Sequence, residues 1–242
     1  MPNLLNIGVE HEKFIFEKNF NRRINFQTVS KIFSFLTKFG WKPLKENNNI
    51  VALSRNEQSI TLEPGNQIEL SGAQLNSIHL TCEESYKFLS ELKQACKSLD
   101  LKMMSVGYDP FSTLQNVPKT PKQRYEVMKE VMPKNGKLSL EMMYQTCGTQ
   151  INLDYTSENN FIKKFKLSSF LVPLSVAIFA NSPIKENKLT GYLTYRSKVW
   201  QNTSRAGLPK NFLEEMNFEK YVDMIVNMPL LFVQKNSKHL KV

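Results

Sequence analysis

The chain has 242 residues, of which 41% are hydrophobic and 11% aromatic, so it can bury a core of one large domain or two small ones. A formal charge of +10 admits anionic partners, but the lysines are spread along the chain without interleaved aromatic clusters, which argues against nucleic-acid binding as the main role. Three cysteines, Cys82, Cys96 and Cys147, form neither a disulfide framework nor a metal-ligand spacing, and free thiols suit a reducing compartment.

In chain order, LLNIGVEHEKFIF (4–16) reads as a strand. Side chains alternate along a strand, so Glu10 and Glu12 share one face and repel, while His11 points to the other and is expected in the core. FQTVSKIFSFLTKFG (26–40) reads as a helix, with Val29, Ile32, Phe33, Leu36 and Phe39 on one face and Gly40 as its stop. NIVALS and QSITLEPG predict a hairpin around Arg55, Asn56 and Glu57, and QIELSGA (67–73) a further strand. In ITLEPGNQIELSG, Ile60, Leu62, Ile68 and Leu70 fall on one parity, and Thr61, Glu63, Gln67, Glu69 and Ser71 on the other.

A long helix is predicted over 75–99, with Leu89, Leu92 and Leu99 among its core positions, then a strand over 101–108 and a helix over 121–131. YQTCGTQINLDY (144–155) reads as one strand, with Gln150, Asn152 and Asp154 on one face and Ile151 and Leu153 on the other. Helices are expected over 158–180 and 213–227. No repeat or linker interrupts the chain, so residues 1–242 read as a single domain. Strands that neighbour through hairpins predict an α+β fold, an antiparallel sheet with flanking helices. No signal peptide opens the chain, and the longest apolar run, 170–180, falls short of the roughly 20 residues a membrane span needs. A cytoplasmic protein is expected.

Each polar strand face alone is an ordinary solvated face. If the faces converge, four close carboxylates need a cation, and Mg²⁺ takes carboxylate oxygens while leaving positions for phosphate oxygens. No G-x-x-x-x-G-K-S/T string occurs, which excludes a Walker-type phosphate cradle. Downstream, LTYRSKVWQNTSRAGLP (193–209) sets Arg196, Lys198 and Arg205 beside Tyr195 and Trp200. Arginines there suit a carboxylate substrate or a phosphoryl group, or else form a basic surface loop. Arg124 is a weaker candidate of the same kind.

GVEHEKF, LEPGNQIELSGA, TCGTQINLDY, FANSP and YLTYRSKVWQNTSRAGLP, with PKQRYEVMKEVMP among them, occur in the order and near the spacing of glutamate–cysteine ligases. The chain resembles the plant and proteobacterial type from about Ile7 to Phe232. The resemblance implies a glutamine synthetase-like carboxylate–amine ligase fold with a funnel-shaped site. It implies that ATP phosphorylates the γ-carboxylate of glutamate and that the amine of cysteine attacks the acyl phosphate, the first step of glutathione biosynthesis. Carried over residue by residue, Glu10, Glu12, Glu63 and Glu69 match the metal-facing acids. Gln67, Gln150 and Asn152 match positions facing nucleotide and substrate. Arg196 matches the arginine assigned to catalysis and to glutamate or phosphoryl binding, and Arg205 a further binding residue. Mg²⁺ and ATP are the expected cofactor and co-substrate, and nucleic acid and membrane are not expected partners. Family members extend beyond both ends of this chain, so it reads as a shortened or fragmentary member. Self-association, or a second chain supplying the C-terminal part, is expected to complete it, and a non-catalytic or partner-dependent fragment is the alternative. Cys82 resembles one partner of a regulatory disulfide whose other cysteine is missing here, so no such switch is expected.

Overall fold

The computed structural model describes residues 5–19, 22–46, 49–134, 136–203, 214–228, 230–235 and 238–241. The first strand, β1 (Ile7–Glu17), organises the rest. Asn25 then caps helix α1 (Phe26–Leu36), its side chain accepting from the Thr28 amide at 2.9 Å, which satisfies one of the helix's orphan donors. Gly40 ends the following 3₁₀ turn in the left-handed region at φ 86°, where a residue without Cβ is unstrained. Strands β2 (Lys42–Glu46), β3 (Asn49–Arg55), β4 (Gln58–Leu62) and β5 (Ile68–Ser71) follow as a meander, with the β3–β4 turn at Asn56 and Glu57 as the sequence predicts. Helix α2 (Ile78–Ser98) and strand β6 (Leu101–Met104) come next.

The chain continues through α3 (Gln123–Val131), α4 (Ser139–Gln145) and β7 (Thr149–Leu153). Then come α5 (Glu158–Ile178), the short ribbon of β8 (Ile184–Lys185) and β9 (Lys188–Leu189), α6 (Tyr195–Gln201), α7 (Phe218–Val226), and a hairpin of β10 (Phe232–Lys235) and β11 (Lys238–Lys241). The main sheet has seven strands in the order β2-β3-β4-β5-β1-β6, with β7 also paired to β1. Every pairing in it is antiparallel. The architecture is therefore α+β, as expected from strands joined largely through hairpins.

One face of this sheet carries the largest apolar cluster. Val29, Ile32, Phe33 and Leu36 of α1 and Phe88, Leu92, Ala95 and Cys96 of α2 pack against Leu53, Ile60, Leu62, Ile68 and Leu70 of the strands. Each such buried side chain contributes about 1.5–3 kcal/mol of transfer free energy. Leu89 and Leu99 sit at the margin of this cluster rather than inside it. A buried network ties the layers together: Glu91 accepts from Trp41 Nε1 at 2.7 Å and from Arg55 Nη1 at 2.8 Å, while the Arg55 guanidinium lies 4.1 Å above the Trp41 ring. The apolar parity of β4 and β5 is spent on this core, so their acids must face the other way.

Two expectations are corrected. Residues 144–155 do not form one strand: Tyr144 and Gln145 close helix α4, and only Thr149–Leu153 pairs with β1. Met143 and Tyr144 gain a second cluster with Val117 and Met132, and that burial outweighs the strand pattern. The Ile151 and Leu153 face of β7 is solvent-exposed, at 64% and 51%. The helix predicted over 213–227 begins at Phe218, capped by Asn217, and residues 204–213 lie outside the described residues.

Candidate active site

Register brings the acids together. Glu12 lies directly across from Glu69, and Thr61 across from Glu69 on its other side. Glu63 follows the end of β4, where the Pro64-Gly65 turn folds it back toward the same spot. Glu12, Glu63 and Glu69 each place a carboxylate oxygen within 4.8 Å of the others. Burial, then the Glu63 and Glu69 charges, pushes the Glu12 carboxyl up to about 8, although the Gly148 amide and the Arg196 charge pull the other way. The Gly148 N–H donates to Glu12 Oε2 at 2.8 Å. Burial and Glu69 likewise push Glu63 up to about 7 against Arg124 and Lys122. Glu69 is raised by burial in spite of hydrogen bonds from Ser71 and Thr61, both at 3.1 Å.

Glu10 lines the same cavity but has other partners. It faces Gln150 across β7, and its Oε1 accepts from Gln150 Nε2 at 3.2 Å and Asn152 Nδ2 at 3.1 Å. Gln67 is 2% exposed and both ends of its amide are in use. Its Oε1 accepts from the Gly65 amide at 2.8 Å, and its Nε2 donates to Thr146 O at 2.8 Å and Met143 O at 3.3 Å. His11 points toward α2 instead, 3.1 Å from Ser85 Oγ.

Arg196, in the first turn of α6, lies between Gly107 and Gly148. A Cβ at Gly148 would stand 2.8 Å from Arg196 Nη2, so glycine makes the room for the guanidinium. Arg196 Nε is buried without a hydrogen-bond partner, and the guanidinium lies 5.2 Å from the Trp200 ring. Burial holds its pKa below the ordinary arginine value, with Glu12 opposing. Arg205 lies outside the described residues.

Two further cations flank the acids. Arg124 donates to Tyr125 Oη at 2.8 Å, and Lys122 Nζ donates to Leu62 O at 2.9 Å. Burial works against the Arg124 charge, but Tyr125, Glu63 and Glu69 outweigh it and raise its pKa. For Lys122, burial and the neighbouring Arg124 prevail and lower it. Lys122 is missed by sequence reasoning, because a lysine in a polar stretch looks like solvated surface until its neighbours are placed.

Glu12 stands at the junction of two cavities. One, of about 610 Å³, holds Glu10, Glu63, Glu69 and Arg124 with Met128 and Trp200 on its wall. The other, of about 660 Å³, is lined by Arg196, Gly107, Thr149, Val176 and Phe179. The first combines oxygen ligands with cations suited to phosphate. The second sets Arg196 and Lys13 among both apolar and hydroxyl side chains, a mix of apolar wall and a few polar groups suited to a small ligand. Cys96 and Cys147 are buried and burial pushes both thiols up to about 12, so neither is a nucleophile; Cys82 is exposed and free.

The chain is similar to known proteins over nearly its whole length. The chain is 43% identical over 238 residues to "Glutamate--cysteine ligase A, chloroplastic" of Oryza sativa subsp. japonica, which covers 97% of this chain and 48% of the relative. It is 41% identical to the chloroplastic glutamate–cysteine ligase of Nicotiana tabacum and 39% to that of Arabidopsis thaliana, each over 97% of this chain and 46% of the relative. The chain thus spans about half the length of these relatives. The model of Glutamate-cysteine ligase family 2 (GCS2) matches residues 6–241, and with identity of this extent the chain belongs to that family.

Proposed function

We propose that the chain carries the Mg²⁺–ATP and glutamate sites of an ATP-dependent ligase that joins the γ-carboxylate of glutamate to the amine of cysteine. In the reaction a γ-carboxylate oxygen attacks the γ-phosphorus of ATP and ADP leaves. The amine nitrogen then attacks the acyl carbon, phosphate leaves with the bonding electrons, and the amine proton is lost. The observation that carries this reading is the Arg196 guanidinium, whose Nε is buried without a hydrogen-bond partner, beside a cluster of three carboxylates with only oxygen donors. A desolvated guanidinium calls for an anion, and the acids beside it call for a hard cation.

The donor set fits Mg²⁺: Glu12, Glu63 and Glu69 would hold it, with Glu10 alongside. When bound, Mg²⁺ supplies the positive charge that links these carboxylates to the nucleotide phosphates. Arg196 holds the substrate carboxylate or the phosphoryl group through its planar fork, and the resemblance assigns Arg205 a further binding role. Arg124 and Lys122 face phosphate oxygens, while Gln150 and Asn152 orient Glu10 and the nucleotide. Gln67 acts at this site through the turn that it holds. No protein nucleophile is needed, since ATP activates the acyl group, and catalysis is positioning and charge neutralisation. The antiparallel sheet with an acidic concave face supports a glutamine synthetase-like fold, built as one domain. The free thiols support a cytoplasmic location, although the plant relatives are named chloroplastic. No helix among the described residues is long and apolar enough to cross a membrane.

A second reading has its own support. The chain spans about half of its relatives, and α5 exposes apolar side chains along its length, with only Ser169 buried among its residues. On this reading the activity depends on a partner, a second copy or a separate polypeptide, that covers the apolar surface of α5. The test of both readings is a product assay with glutamate, cysteine, ATP and Mg²⁺, with γ-glutamylcysteine detected by mass spectrometry and ADP measured in parallel. Product that disappears in Arg196→Ala supports the ligase. A folded chain that forms no product alone, but binds Mg²⁺–ATP, supports the partner-dependent reading. Absence of both product and nucleotide binding sinks the proposal.

A further inference from the structure

We propose that Arg23 is the positioning residue of the acidic cluster, a buried latch that locks the Pro64-Gly65 turn to the end of α4 and so fixes Glu63, Glu69 and Glu12 against their own repulsion. Arg23 lies after β1, far in sequence from every residue that it joins, and is 4% exposed. Its Nη1 donates to Tyr144 O at 2.9 Å and Asp109 Oδ2 at 3.3 Å, and its Nη2 donates to Gly65 O. The guanidinium lies 4.4 Å from the centre of the Phe14 ring. Asp109 is itself anchored, accepting from the Phe111 amide at 2.9 Å and the Ser112 amide at 3.0 Å. Burying a guanidinium is costly unless its donors are met, and here three separate segments each supply an acceptor. The planar fork is what makes that reach feasible.

The turn has no slack. A Cβ on Gly65 would stand 2.4 Å from Tyr144 O and 3.1 Å from Arg23 Nη2. The latch also reaches both sides of the cluster. On one side Gly65 sits between Glu63 and Glu69 in the chain. On the other, Gln67 binds Thr146 O at 2.8 Å, and two residues later the Gly148 amide holds Glu12 Oε2 at 2.8 Å. Three carboxylates that push one another apart stay within 4.8 Å because the backbone beneath them is clamped. The effect on a cation rests on the reading of the cluster given above; the clamp itself does not.

Two measurements on Arg23→Lys test this. The lysine keeps the charge but offers one nitrogen in place of the fork. Amide hydrogen exchange is expected to speed up at Asn66, Gln67 and Gly148 while α1 and α2 keep their protection. Calorimetric Mn²⁺ binding is expected to weaken at least ~10-fold, as for partners that orient metal ligands. Ile32→Val, which loosens the distant core, should lower Tm with neither change. If Arg23→Lys fails to fold, Asp109→Asn is measured in the same two ways. Unchanged exchange at the turn, or a loosened turn with wild-type Mn²⁺ affinity, overturns the positioning role. A wild type that binds no Mn²⁺ refutes the cation reading of the cluster, and the latch then stands or falls on the exchange pattern alone.

Discussion

Glu12 is held by the Gly148 amide while Glu63 and Glu69 crowd it from the neighbouring strands. Removing one charge from such a group relieves repulsion, and on the proposed function it also removes a cation ligand. Glu12→Gln, Glu63→Gln and Glu69→Gln are therefore each expected to lose most Mg²⁺–ATP binding while melting at or above the wild-type temperature without metal. A nucleotide titration paired with thermal melts checks this, and variants that bind as wild type would remove the cluster from the site. Glu10→Gln should be milder in binding, because Glu10 is engaged by Gln150 and Asn152. The pH dependence follows from the same crowding. Glu12 and Glu63 have folded pKa values of about 8 and about 7, above the 4.5 of an unperturbed glutamate, so between these limits the folded state holds more protons. Stability without metal is thus greatest in mild acid and falls as pH rises through 7 to 8. Melts from pH 5 to pH 8.5 should show that fall, and Mg²⁺ should reduce it because bound cation favours the ionised acids.

At the scale of elements, α2 is fastened to the sheet by charge as well as by apolar burial. Glu91 on α2 receives both Trp41 and Arg55, and the Arg55 and Glu91 side chains are 13% and 6% exposed. Glu91→Ala leaves Arg55 buried without its counter-charge, which is expected to cost about 3–5 kcal/mol in urea unfolding. A loss under ~1 kcal/mol, the worth of an exposed pair, would mean that water replaces the carboxylate. Local pattern was a good guide to α1 and to the β3–β4 hairpin, where apolar spacing and Gly40 agree with the tertiary result. It was a poor guide at 144–148, because alternation of polar and apolar residues there is read as strand while the packing of Met143 and Tyr144 selects a helix.

Across the whole molecule, the larger apolar core lies on one side of the sheet, while the acids share the other side with a smaller cluster of Phe14, Phe16 and Cys147. α1 and α2 cover one face, and the acids with Arg124 and Arg196 occupy the other. α5 stands outside this order: Leu167, Leu174 and Ile178 are 60%, 54% and 64% exposed. An apolar stretch of helix such as 170–178 is normally covered. The purified chain is therefore expected to bind 8-anilinonaphthalene sulfonate, and Leu174→Glu to bind less of it with Tm unchanged. Equal fluorescence in the variant would show that the dye sits elsewhere. Taken alone, the sequence determined the strand parity that sets Glu10 and Glu12 apart from the core, the helices of the first half, and the ordered motifs of the family, because these depend on residues near one another in the chain. Only the tertiary structure decided that Glu12 meets Glu63 and Glu69 while Glu10 meets amides, that Arg23 binds the Gly65 carbonyl, and that Lys122 lies near Glu63 and Glu69. Those outcomes are set by cross-strand register and by contacts between distant segments, which no local spacing encodes.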